Sequence, residues 1–293
     1  MTELVTADGL RLHLAPGVPA TAPLRGQVLL VHGLGEHSGR YAHVARHLAA
    51  AGFGVAAYDH RGHGASEGPR GVIPAADSLL ADLGAVLAQV RAQHPGLPLV
   101  LLGHSLGGLV VGRYVAEGLA AQPAPWWQAV DGLVMSSPAL DLGMNAAQKA
   151  LLAVLGPIAP NLAVANGLKP EWVCRDPAVV RAYVADPRVH DRIAPRLVRF
   201  MLDAGALVRA RAAQWRTPTC LLYAGADRCV APRGSAAFAA AAPAACVQTT
   251  AYPGLAHEIF NESEQARVLA DLTAWLQARF APVSAPAQPR AAA

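Results

Sequence analysis

The sequence predicts an α/β fold: a mostly parallel central sheet flanked by helices, with a helical cap inserted between two of its strands. Three observations predict it. Short apolar runs bounded by Gly and Pro alternate with longer helical stretches, the pattern of buried parallel strands joined by crossover helices. One such run, Leu97–Leu102, leads directly into Gly103-His104-Ser105-Leu106-Gly107 and then a helical pattern, so a strand passes through a tight glycine turn into a helix. From about Asp141 to Gln214 the alternation stops, leaving only short helical pieces joined by Pro and Gly. That excursion is too long for an ordinary connection between strands.

The elements follow in order. Ala7-Asp8-Gly9 marks the turn of an antiparallel edge hairpin before Gly26. Buried strands are expected at Gln27–His32, Gly54–Tyr58, Leu97–Gly103, Gly132–Ser136, Thr219–Ala224 and Cys246–Tyr252. Helices are expected at Tyr41–Ala51, Ala75–Gln93, Leu106–Leu119, Pro232–Ala242 and Ser263–Phe280. The last has a start signal, Asn261 as N-cap with Glu264 three residues on. Residues 1–140 and 215–281 thus form one core, and 141–214 a cap over the carboxyl ends of the strands, where open α/β sheets place ligands. The tail 282–293 is rich in Ala and Pro and is expected to be disordered.

Composition bounds the function. Hydrophobic residues make up 53% and charged residues 15%, a globular balance. The formal charge of +4 comes from Arg scattered singly along the chain, without the basic stripe that a nucleic-acid partner requires. Cys174, Cys220, Cys229 and Cys246 are widely spaced, with no C-x-x-C pair; they read as reduced, mostly buried thiols of a cytosolic protein. Met1-Thr2-Glu3-Leu4 does not start a secretion signal, and no run reaches the roughly 20 apolar residues of a membrane span. The expected location is the cytoplasm, with peripheral contact at a membrane surface as the further possibility. That contact would fall to the cap, where Ala146–Leu155 is apolar around most of a helix with one charge. Such a helix is buried by default, or lines an acyl tunnel, or dips into a lipid surface. Histidines at 32, 37, 43, 47, 60 and 63 form no H-E-x-x-H and meet no compact carboxylate set, so no metal site is expected. His60 and His63 are expected to hold the loop after the second buried strand.

The chemistry centres on Ser105. The strand–turn–helix context makes Gly103–Gly107 a nucleophile elbow, in which flanking residues must be small, and it places the hydroxyl at a helix N-terminus. A serine needs a base, and the base an orienting acid. Asp227 follows the apolar run Cys220–Ala224 and a glycine turn; His257 follows the next strand and the tight loop Pro253–Ala256. The order Ser, acid, His suits a nucleophile elbow. Asp203 and Asp191 are rival acids, but both fall within the cap. For the oxyanion, the amide of Leu106 follows the nucleophile, and that of Leu34 sits in the glycine-rich loop Gly33-Leu34-Gly35 after the first buried strand.

Five segments together carry a resemblance. They are His32–Tyr41, Asp59–Gly68, Gly103–Gly108, Asp227 with Val230 and Pro232, and His257–Glu262. Over roughly residues 10–280 the chain resembles the monoacylglycerol lipase and lysophospholipase branch of the α/β-hydrolase fold, matching only loosely in cap and tail. The resemblance implies hydrolysis of a small single-chain lipid ester without metal or cofactor. It also implies that Glu36, Arg40 and His104 contact the polar head, although Glu36 and Arg40, four apart, equally suit a surface ion pair. A short-chain esterase, a thioesterase, an acyltransferase or an aminopeptidase-like amidase would use the same machinery. A ligand-binding protein on this scaffold is the non-enzymatic alternative.

Overall fold

The computed structural model describes residues 3–283; the expected disordered stretch therefore lies outside the described residues from position 284 onward. Six strands, β3 (Gly26–Val31), β4 (Phe53–Tyr58), β5 (Leu99–His104), β6 (Gly132–Ser136), β9 (Thr219–Ala224) and β10 (Val247–Tyr252), form one sheet. Its order is β10-β9-β6-β5-β3-β4, and every neighbouring pair is parallel. These strands are the apolar runs of the sequence, displaced by two residues at most. After β3 the chain steps outward to β4 and then returns to the other side of β3 as β5. The loops leaving β3 and β5 therefore diverge from a topological switch point, where such sheets leave a crevice.

Side chains alternate along each strand and feed two cores. Leu29 and Val31 of β3 point to one face, where α2 (Ser78–Gln93), α3 (Leu106–Glu117), α6 (Pro195–Ala210) and Phe238 of α7 (Pro232–Ala241) pack. Val28 and Leu30 point to the other, against α1 (Ala42–Ala50) and α8 (Gln265–Arg279). The amino-terminal hairpin, β1 (Glu3–Val5) and β2 (Arg11–His13), forms its own two-stranded sheet. The chain then runs antiparallel along β4 through bridges at Leu14–Tyr58 and Val18–Val55, covering the exposed edge of the large sheet.

Two helix starts differ from expectation. α2 begins at Ser78 rather than Ala75, because the Ser78 hydroxyl accepts the Ala75 N–H (3.0 Å) and holds residues 75–77 in a turn. α8 begins at Gln265 with Glu264 at the cap position and no side-chain cap bond. Asn261 does not cap it; its side-chain amide donates to Glu258 (2.8 Å).

Between β6 and β9 lie α4 (Ala146–Ile158), α5 (Pro177–Ala185) and α6, together with β7 (Val164–Ala165) and β8 (Arg192–Ile193), which pair antiparallel. The insertion is not uniform. The buried face of α6 (Leu197, Phe200, Met201, Ala204, Val208) belongs to the main core. α4 instead exposes Leu151, Val154 and Ile158, the last 75% accessible. Among the described residues no helix is long and apolar enough to cross a membrane.

Candidate active site

Ser105 sits between β5 and α3 with φ 54° and ψ −117°, a backbone state that a residue with a side chain adopts only under constraint. The constraint is visible on both sides. A Cβ at Gly103 would strike the Gly107 carbonyl, and one at Gly107 would strike the carbonyls of Val31 and His32. The turn is tight enough that only glycine fits at either end. Ser105 N–H donates to Ser136 O (2.9 Å), and its carbonyl accepts from Leu109 (2.9 Å) and Ala139 (3.0 Å). The hydroxyl is thus presented at the head of α3 on a pinned backbone.

His257 and Asp227 are joined: His257 Nδ1 lies 2.6 Å from Asp227 Oδ2. The other carboxylate oxygen accepts the N–H groups of Cys229 (2.8 Å) and Val230 (3.0 Å). Burial opposes the charge on Asp227, but His257 and these three hydrogen bonds outweigh it and hold the carboxyl below its ordinary range. Burial likewise opposes protonation of His257. The Asp227 charge and hydrogen bond, with Glu258 and Glu36 beyond, override it, and the imidazole is raised above its ordinary value. The ring lies against that of His104, the residue before Ser105, with centroids 4.7 Å apart. Of the rival acids, Asp203 is exposed on α6 and Asp191 pairs with its neighbour Arg192.

The loop after β3 closes on the serine, since a Cβ at Gly33 would come within 3.1 Å of Ser105 Cβ. Gly33 N–H is taken by Glu36 Oε1 (2.6 Å). The Leu34 amide has no hydrogen-bond partner among the described residues. Leu106 opens α3, where an N–H has no intrahelical acceptor. Both amides named from the sequence, those of Leu34 and Leu106, are thus without a hydrogen-bond acceptor among the described residues.

Glu36 and Arg40 are not a surface pair. Glu36 is 3% exposed and fully engaged, accepting from Gly33 N–H, Tyr41 OH (2.6 Å) and Arg40 (2.6 Å). Arg40 also makes a two-pronged bond to Glu258 (2.6 and 2.7 Å) and lies over the Tyr183 ring of α5. Burial disfavours the Glu36 charge, yet Arg40, His32 and the hydrogen bonds lower its pKa overall. The expected head-group role of Glu36 and Arg40 thus meets a carboxylate and a guanidinium already spent on each other. What the carboxylate holds is the loop after β3, through Gly33 N–H. His104 is also committed, with Nδ1 at 3.0 Å from Ser136 Oγ. Burial, then the nearby His257, pushes it down to about 3, so it packs against His257 as a neutral ring. Glu258, the residue after His257, ties that loop to the loop after β3 through Arg40; it stood within the His257–Glu262 segment without a role assigned to it.

The remaining histidines brace the loops. His32 Nε2 accepts the His60 N–H (2.9 Å), and His60 Nε2 returns a bond to His32 O (3.1 Å). Asp59 accepts from the backbone and hydroxyl of Ser38 (2.8 and 2.6 Å) and from Ala65 N–H (2.9 Å). From the insertion, His190 N–H donates to Gly35 O (2.8 Å), and Asp186 meets His37 (2.9 Å). One group of potential metal ligands occurs among the described residues, formed by Asp227, Cys229 and His257.

Comparison with known proteins gives the family. A profile described as serine aminopeptidase, S33, matches residues 22–264. A monoacylglycerol lipase of Mycolicibacterium smegmatis is 38% identical over 271 residues, 92% of this chain and 93% of that protein. Human monoglyceride lipase is 30% identical over 96% of this chain and 91% of its own length. The crystal structure of Paleococcus ferrophilus monoacylglycerol lipase superposes with a TM-score of 0.79 at 35% identity, covering 92% of this chain and 99% of that one. The chain belongs to the serine aminopeptidase S33 family of α/β hydrolases, in the branch related to monoacylglycerol lipases.

Proposed function

We propose that the protein is a serine carboxylic-ester hydrolase that cleaves monoacylglycerols or lysophospholipid-type single-chain esters through an acyl-enzyme. The observation that carries this reading is Ser105 held at φ 54° at the head of α3, together with a His257 whose Nδ1 is bonded to Asp227 and whose ring packs on that of His104, the residue before the serine. Bonded through Nδ1–H, His257 offers Nε2 as base. It takes the Ser105 proton as the hydroxyl attacks the ester carbonyl, and the Leu34 and Leu106 amides hold the oxyanion. The alcohol leaves with that proton. Water, activated by the same nitrogen, then attacks the acyl-enzyme and returns Ser105. Asp227 keeps the tautomer and stabilises the imidazolium.

A lipid substrate is supported by the insertion. Leu151, Val154, Ile158, Leu162 and Val164 are half or more exposed. The 141–214 segment has ten Lys and Arg against six Asp and Glu, the whole formal excess of the chain. An apolar ridge with basic flanks suits transient contact with an anionic lipid surface, from which a water-poor ester is drawn.

The test is a substrate panel: monoacylglycerols of increasing length, di- and triacylglycerols, a lysophospholipid, a p-nitrophenyl ester and an aminoacyl anilide. Preference for monoacylglycerols, with a loss of roughly 10⁴-fold or more in Ser105→Ala, is expected. Turnover retained in that variant would remove Ser105 from the mechanism, and a rate confined to the anilide would replace the ester reading.

A further inference from the structure

Cys229 is set against the same machinery without belonging to it. Its N–H donates to Asp227 Oδ1 (2.8 Å), a turn that folds the residue back over the carboxylate. As a result, one ligand atom each from Asp227, Cys229 and His257 fall within 4.8 Å of one another. Carboxylate, thiolate and imidazole are the donors zinc takes, and three protein ligands with an open fourth position make a tetrahedral site.

We propose that Asp227, Cys229 and His257 form an inhibitory site for a thiophilic divalent cation such as Zn²⁺, which stops turnover by taking the imidazole nitrogen that Asp227 orients. A cation on Nδ1 moves the ring proton to Nε2, the nitrogen that has to accept the Ser105 proton. The Cys229 thiol proton goes to solvent. The two charges of the cation are then balanced by the thiolate and the Asp227 carboxylate, which favours the bound state in a half-buried setting.

The inhibition rests on the proposed role of His257 as base; the binding does not. The experiment titrates Zn²⁺ into ester hydrolysis in chelator-treated buffer and reverses it with EDTA. The native chain, Cys229→Ala and Cys246→Ala are compared, each against its own metal-free rate. Cys246 lies just before β10, at the opposite end of that strand from His257, and serves as the thiol control. Removing the thiolate ligand is expected to raise the half-inhibitory Zn²⁺ concentration about tenfold or more, with Cys246→Ala unchanged. Co²⁺ supplies a readout independent of activity: a thiolate-to-cobalt charge-transfer band present in the native chain and in Cys246→Ala, absent in Cys229→Ala. Cys229→Ser, closer in size, takes its place if the alanine variant does not fold. Equal Zn²⁺ sensitivity without the Cys229 thiol, or a cobalt band that persists there, overturns the site. A native chain without any hydrolysis would overturn the enzymatic reading, while the cobalt spectrum would still decide the metal site.

Discussion

His257 carries a pH signature. Its raised pKa means that the neutral, proton-accepting form is depleted at a higher pH than for a free imidazole. The acid limb of kcat/KM on a soluble ester should therefore have its midpoint above about 6.5. In Asp227→Asn the stabilising charge is gone while burial remains, so the midpoint should move down and the rate fall by roughly 10⁴-fold. A limb left in place would mean that another group titrates. Arg40 answers to a different physics. It neutralises two buried carboxylates, and Arg40→Met would strand both Glu36 and Glu258. Breaking such a buried set costs about 3–5 kcal/mol, to be read from chemical denaturation. Because Glu36 holds Gly33 N–H, the same variant should lose kcat more than KM. The linkage has a sign: the depressed Glu36 pKa contributes stability above the ordinary glutamate value of about 4.3, lost as pH falls through the folded-state value.

At the scale of elements, the inner strands were legible because they are buried on both faces and read as apolar runs between turn residues, whereas the edge strand β10 exposes Gln248, Thr249 and Ala251. The elbow was legible because its glycines are demanded by backbone approach and not by side-chain chemistry. Gly107→Ala should accordingly fail to fold or be recovered insoluble, since the added methyl meets the rigid carbonyls of β3. Gly254→Ala, in open space beside the His257 loop, should leave unfolding within about 0.5 kcal/mol of the parent. Soluble, active Gly107→Ala would show that the turn is looser than its geometry implies. Other features left no such trace. β7 and β8 are two residues each and too short for any periodicity. Asn261 looked like a cap because Glu264 follows it at the right spacing, but Glu258, closer in space, claims its amide. Glu258 and Cys229 act on partners that only the fold brings near, across 218 residues in the case of Arg40.

At the scale of the molecule, the charge is divided unevenly. The rest of the chain is formally neutral and the insertion holds the excess, on the same segment that exposes the apolar ridge. Binding to vesicles containing phosphatidylserine should exceed binding to pure phosphatidylcholine vesicles and should weaken from about 50 to about 500 mM NaCl, across which the Debye length shortens roughly threefold. Leu151→Ser with Ile158→Ser should reduce binding to both, with little change in hydrolysis of a soluble ester. Salt-insensitive binding would assign the contact to the apolar ridge alone.

The bond from His190 to Gly35 divides the insertion into parts of unequal freedom. A Cβ at Gly35 would strike the carbonyl of His190, and one at Gly71 that of Arg192, so the stretch around β8 is seated directly on the loops after β3 and β4. Residues 186–194 are in effect masonry of the active-site wall, while α4 meets solvent over much of its surface. In a chimaera built to change substrate range, the exchangeable cassette is α4 and its flanks. A transplant that also replaced 186–194 would import a foreign mould for the loop beside Ser105 and alter its neighbourhood along with the insertion.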